Sequence, residues 1–134
     1  MYLDWDEKYS VGDDGIDQQH KELFKIINNL DDAIRNAQGK SAIHQILNEM
    51  NGYIAWHFNE EETYMKENDY PELNAHRVAH QTFVDETADA IKKLEFGFEL
   101  GLALVTRKFL GEWIKKHVLV EDQKYKSYIQ NKQQ

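Results

Sequence analysis

The sequence predicts an all-α fold, an up-down-up-down antiparallel four-helix bundle with an irregular N-terminal arm and a short C-terminal helix. Apolar residues recur with a helical rather than an alternating period almost throughout, and no internal repeat or low-complexity block interrupts them. The connections between these long amphipathic stretches are short, which makes sequential helices antiparallel neighbours. Residues 1–16 form the arm, with Trp5, Tyr9 and Val11 expected to pack on the bundle. The first helix, about 17–37, carries the stripe His20, Leu23, Phe24, Ile27, Leu30 and Ile34, and Gly39 follows as a stop signal. The second begins near Ser41, a favourable N-cap, and its stripe runs from Ile43, Leu47, Met50 and Ile54 through His57 and Glu61 to Met65. Asn68 to Pro71 break it. The third, about 72–94, carries Leu73, His76, His80, Phe83, Thr87, Ile91 and Leu94, and Gly97 closes it. The fourth, about 98–118, shows Leu102, Val105, Phe109, Trp113 and His117. Gly111 is a tolerated weak point there, costing about 1 kcal/mol relative to alanine. A last short helix covers about 122–128.

Composition narrows the function. The 134 residues have room for one domain, read as 1–134. With 24 acidic and 16 basic residues the net charge is -8, which repels phosphate backbones and excludes a nucleic-acid interface of the usual basic kind. The first seven residues carry acids where a secretory leader needs bases, and no apolar run reaches the ~18 residues of a membrane span. A soluble cytoplasmic monomer is expected, with no membrane partner. There is no cysteine, so any metal must be held by nitrogen and oxygen.

Five of the six histidines point to such a metal. His20 opens the first helix, His57 and Glu61 close the second, His76 and His80 open the third, and His117 closes the fourth. Alternating helix direction puts them all at one end of the bundle. Each also occupies a position that the apolar stripe reserves for the core, where an unpaired imidazole or carboxylate costs several kcal/mol. Coordination satisfies them together. His44 is the control: it lies thirteen residues before His57, about 20 Å away along the same helix at ~1.5 Å per residue, and cannot join.

Spacing selects the ligands. His57 and Glu61 are four apart and share a helix face, so Glu61 rather than Glu60 or Glu62 should reach the metal. His76 and His80 repeat that step. After His117, ideal helical geometry favours Glu121, because five residues turn Asp122 about 140° away. A helix break among Val118, Leu119 and Val120 would instead let Asp122 turn inward.

His20, His57-x-x-x-Glu61, His76-x-x-x-His80 and His117-x-x-x-x-Asp122, preceded by Trp5, Ser10-Val11-Gly12 and Ile16-Asp17-x-Gln19, resemble the bacterial hemerythrins over nearly the whole chain. The resemblance implies Asp122 as the last ligand and two iron ions joined by an oxo or hydroxo bridge. His76, His80 and His117 would hold one ion, His20 and His57 the other, and Glu61 and Asp122 would bridge both. It leaves one coordination position open, for dioxygen. Bundles with about four acids and two histidines activate oxygen instead, and this chain has the opposite ratio. A dry pocket is then required, and Phe24, Ile54, Phe83, Val84 and Trp113 lie one turn inward from the ligands, with Leu119 beside the last break. Trp113 and Leu119 are expected to wall the open position. The leading function is reversible dioxygen binding without catalysis, for carriage, storage or delivery to an oxygen-consuming enzyme. A di-iron peroxidase or reductase, and an oxygen- or iron-sensing module, are the alternatives.

Overall fold

The computed structural model describes residues 2–132. Met1 of the expected arm and the last two residues of the 1–134 span lie outside them. A 3-10 turn at Glu7–Tyr9 is followed by α1 (Asp14–Arg35), α2 (Lys40–Glu67), α3 (Leu73–Phe96) and α4 (Leu100–Lys116). A π-helical turn, His117–Glu121, then leads without a gap into α5 (Asp122–Lys132). Among the described residues there is no strand. Each long helix packs on two others, α1 on α2 and α4, and α3 on α2 and α4, which closes the four-sided bundle. No helix among the described residues is long and apolar enough to cross a membrane.

Local chemistry moves several boundaries. Asp13 caps α1, its carboxylate accepting the Ile16 N–H at 2.9 Å, so the helix starts before the expected residue 17. Asp14 and Asp17 then sit in the first turn, where the helix dipole favours acids. Ser41 is not the N-cap of α2. Gly39 holds that place with φ of 92°, a left-handed conformation glycine adopts without cost, and α2 begins at Lys40 with no side-chain cap.

The core runs along the bundle axis through Leu23, Ile27, Leu30, Leu47, Met50, Ile54, Phe83, Leu110 and Ile114. In α4 the buried stripe is Ala103, Thr106, Leu110 and Ile114, and Val105 is 65 % exposed, contrary to its expected place in the core. The start of α4 is apolar on all sides, with Leu100, Leu102, Leu104 and Val105, so periodicity alone could not choose its inner face.

The arm is strapped to the bundle. The Leu3 N–H donates to Asn28 Oδ1 at 2.7 Å and Asn28 Nδ2 donates back to the Leu3 carbonyl at 2.8 Å. Trp5 and Tyr9 meet Phe24 edge-on at 5.7 and 5.2 Å, and Val11 joins Ile16, Met65, Tyr70, Tyr125 and Ile129. The arm also explains Gly111, which is not simply a weak point. A Cβ there would lie 2.8 Å from Tyr2 Cε2, and Arg107 covers the Tyr2 ring at 4.7 Å. Gly111→Ala is therefore expected to forfeit the gain of about 1 kcal/mol that helix propensity offers. The gain should return in a Tyr2→Ala background, and thermal unfolding of the two single variants and the double variant reads the difference.

Candidate metal centre

The seven side chains converge at one end of the bundle. His20 comes from the second turn of α1, His57 and Glu61 from the C-terminal half of α2, His76 and His80 from the first turns of α3, His117 from the π turn and Asp122 from the start of α5. None is more than 5 % exposed. His44 stays apart, paired with Glu95 on the surface.

The π turn decides between the two acids after His117. The Asp122 N–H bonds to the His117 carbonyl, five residues back, so the turn holds one residue more than an α-helix and brings Asp122 onto the His117 face. Glu121 turns outward and pairs with Lys124 at 3.2 Å. Ideal helical geometry had favoured Glu121. The expected break is also absent, because the helix widens and continues.

The carboxylates are divided between two sets of imidazoles. Glu61 Oε1 lies 3.4 Å from His76 Nε2 and 3.2 Å from His80 Nε2, while its Oε2 lies 3.1 Å from His20 Nε2 and 3.6 Å from His57 Nε2. Asp122 Oδ1 lies 2.9 Å from His76 and 3.1 Å from His117, while Oδ2 lies 3.4 Å from His20. The His117 Nε2 is 3.0 Å from Nε2 of both His76 and His80. Yet Glu61 Oε1 and both Asp122 oxygens are buried with no aligned hydrogen-bond donor. Atoms this close but not aimed as donor and acceptor have the arrangement of ligands around cations. Two groups can each enclose one: Glu61, His76, His80, His117 and Asp122, and His20, His57 and Glu61. The donor set is nitrogen and oxygen, which suits first-row divalent ions, iron among them.

Protons compete with a metal at part of the site. Burial opposes a charge on His76, but Asp122 and Glu61 override it and push the group up to about 9. Burial dominates at His57 and brings it down to about 4 despite Glu61. Burial would raise Glu61, and the surrounding imidazoles of His20, His76, His80 and His57 instead hold it well below the carboxylate range. His57 is thus already in its ligand form at neutral pH, whereas His76 must lose a proton to bind an ion. Metal uptake is expected to release protons, and affinity to rise as pH climbs from neutral towards about 9. Calorimetry in buffers of different ionisation enthalpy checks this.

Outside the seven, three polar groups fix the ligands. His57 Nδ1 meets Gln19 Oε1 at 2.7 Å, His80 Nδ1 meets Glu62 Oε2 at 2.8 Å, and the Tyr125 hydroxyl donates to Glu61 Oε2 at 3.0 Å. Such contacts set the tautomer, so that Nε2 faces inward with its lone pair. Sequence spacing showed none of these roles. Glu62 does stay out of the cluster, as its spacing from His57 required. Asp17 accepts from the Ser10 hydroxyl at 2.6 Å and from the Val11 N–H at 2.9 Å, which ties the arm to α1 beside His20.

Aromatic rings wall the three-histidine side. Trp113 stacks on His117 at 4.4 Å and on Phe83 at 3.9 Å, and Phe58 stacks on His80 at 3.7 Å with 2° between planes. Phe58 had no expected role. Leu119 is half-buried in the π turn and Ile54 is fully buried, both within the core cluster, while Phe24 packs on Trp5 and Tyr9 of the arm. A groove of about 490 Å³ between α2 and α3 exposes one edge of this region and is lined by Phe58, Asn59, Glu62, Arg77, His80 and Val84, among others.

The family model described as the hemerythrin HHE cation binding domain matches residues 11–129. The chain belongs to the hemerythrin family. This hemerythrin-family chain is 30% identical over 127 residues to a bacteriohemerythrin of Stenotrophomonas maltophilia (strain R551-3), covering 95% of this chain and 81% of that protein. It is 29% identical to a bacteriohemerythrin of Clostridium acetobutylicum, covering 90% and 96%. The crystal structure of a leucine-to-tyrosine variant of a hemerythrin superposes with a TM-score of 0.84 at 27% identity, over 95% of this chain and 96% of that one.

Proposed function

We propose that this hemerythrin-family chain binds dioxygen reversibly at a di-iron centre, for carriage, storage or delivery to an oxygen-consuming enzyme, and is not itself an enzyme. The observation that carries this is the split of each carboxylate. One oxygen of Glu61 and one of Asp122 face the set His76, His80 and His117, and the other oxygen of each faces the set His20 and His57. Two ions bridged by Glu61 and Asp122, with three imidazoles on one and two on the other, fit this pattern. His20 and His57 would give their ion one imidazole fewer than His76, His80 and His117 give theirs, and that side would have room for an exogenous ligand. Two ferrous ions supply the pair of electrons that reversible dioxygen binding borrows and returns.

The remaining work falls to the protein. Gln19 and Glu62 hold His57 and His80 in the metal-binding tautomer, and Tyr125 fixes the Glu61 carboxylate. Phe58, Phe83 and Trp113 exclude water beside the three-histidine set, where Trp113 stacks on His117, and Leu119 walls the open position, with Phe24 and Ile54 filling the core beneath. Truncating Leu119 to alanine should speed autoxidation several-fold by admitting water, and an unchanged rate would remove Leu119 from that wall. We also read residues 1–134 as a single domain, acting as a cytoplasmic monomer that engages neither nucleic acid nor membrane.

The test is anaerobic reconstitution with ferrous iron followed by cycles of oxygen addition and removal. Two irons per chain and full recovery of the deoxy spectrum through many cycles are expected. Steady oxygen consumption with a reductant would replace the carrier reading with an enzyme.

A further inference from the structure

The two sets of imidazoles are not backed alike. Behind the three-histidine set, His80 Nδ1 donates to Glu62 Oε2 at 2.8 Å, so a full negative charge stands behind that ring. Behind the two-histidine set, His57 Nδ1 meets only the neutral carbonyl of Gln19 at 2.7 Å, and the buried Nδ1 of His20 has no partner. Glu62 is itself shared. Its Oε1 accepts from Arg77 Nε at 3.2 Å, and the Arg77 side chain is 46 % exposed against 21 % for Glu62. Both line the groove between α2 and α3 together with His80. Phe58, stacked flat on His80 at 3.7 Å, holds the ring in the plane that aims Nδ1 at Glu62.

A carboxylate that accepts an imidazole N–H raises the basicity of the opposite nitrogen, and a more basic ligand favours the higher charge state of its metal. The Gln19 amide carries no charge and does this weakly. We propose that Glu62 is a positioning residue that makes the three-histidine ion the more readily oxidised of the two, and that Arg77 sets the strength of this bias by competing for the same carboxylate from the groove. The inference rests on the di-iron reading above. It gives the two ions unequal electronic roles through groups that touch neither of them.

Two variants separate this role from a structural one, because they push in opposite directions. Glu62→Gln keeps the shape and the acceptor but removes the charge. Arg77→Gln removes the competing cation and leaves Glu62 wholly to His80. The experiment is a one-electron spectroelectrochemical titration of the iron-loaded wild type and both variants, with iron content measured on each and Mössbauer spectra of the half-oxidised forms. Glu62→Gln should make the first oxidation about tenfold less favourable, an upward shift of roughly 59 mV for one electron. Arg77→Gln should shift it downward. The half-oxidised wild type should carry its ferric ion at one site, and Glu62→Gln should spread it over both. A first potential unmoved in Glu62→Gln, or moved the same way in both variants, would overturn the proposal while leaving the di-iron reading intact. A wild type that loads fewer than two irons would mean that the di-iron reading has failed, and the proposal with it.

Discussion

Alanine at both 61 and 122 is expected to lower the metal content of the fully loaded chain from two ions to one or none. Between them Glu61 and Asp122 present four oxygens, two towards each set of imidazoles. Without them one set keeps three neutral donors and the other only two. The negative charge that holds two dications side by side in a low-dielectric interior is also gone. Glu61→Gln alone is the milder version, since it keeps one oxygen and most of the volume but no charge. It should weaken the second ion first, because His20 and His57 have the fewest other partners. Elemental analysis after anaerobic loading measures the effect. Retention of two ions by the double variant would remove the bridging role of these acids.

The second large effect is expected at Phe83. Its ring is fully buried and lies in a continuous stack, 5.5 Å from Phe109 and 3.9 Å from Trp113, with Trp113 in turn 4.4 Å from His117. Phe83→Ala removes the middle of that stack and should cost about 3–5 kcal/mol, the range for truncating a buried aromatic ring. For a chain of this size that is a fall of roughly 10–20 °C in Tm. Phe83→Leu, closer in volume, should cost less. Phe109→Ala, at the half-buried end, should also cost less than Phe83→Ala. Thermal unfolding of the metal-free proteins ranks the three, and equal losses at 83 and 109 would overturn this ranking by burial. In the metal-loaded protein, Phe83→Ala should also loosen Trp113 against His117, which shows as faster autoxidation.

How much of this could be read in advance depends on where each residue lies. The bundle and the meeting of His20, His57, Glu61, His76, His80 and His117 were legible because all six sit on the apolar stripe of a long helix, at ends that topology brings together. Asp122 was legible only through the family resemblance, because its position depends on one extra residue in a helical turn, and helical spacing from His117 alone favours Glu121. Gln19, Glu62 and Tyr125 were invisible for another reason. Their partners lie 38, 18 and 64 residues away, and nothing local to the polar Gln19 and Glu62 marks them as more than solvated side chains. The arm shows the same limit at Gly111, where helix propensity reads a defect and the Tyr2 ring requires the space.

The widened turn at His117–Glu121 also sets the azimuth of everything downstream. An α-helix advances about 100° per residue, so rewinding that turn as ordinary α-helix with all its residues kept would swing the last helix by roughly that angle. The phenol of Tyr125 and the apolar edge formed with Ile129 would then sweep away from Met65 and Tyr70, and solvated residues would take their place. One surplus amino acid thus works as a vernier: the same increment that delivers a carboxylate to the interior also phases the closing helix, so neither can be adjusted without disturbing the other.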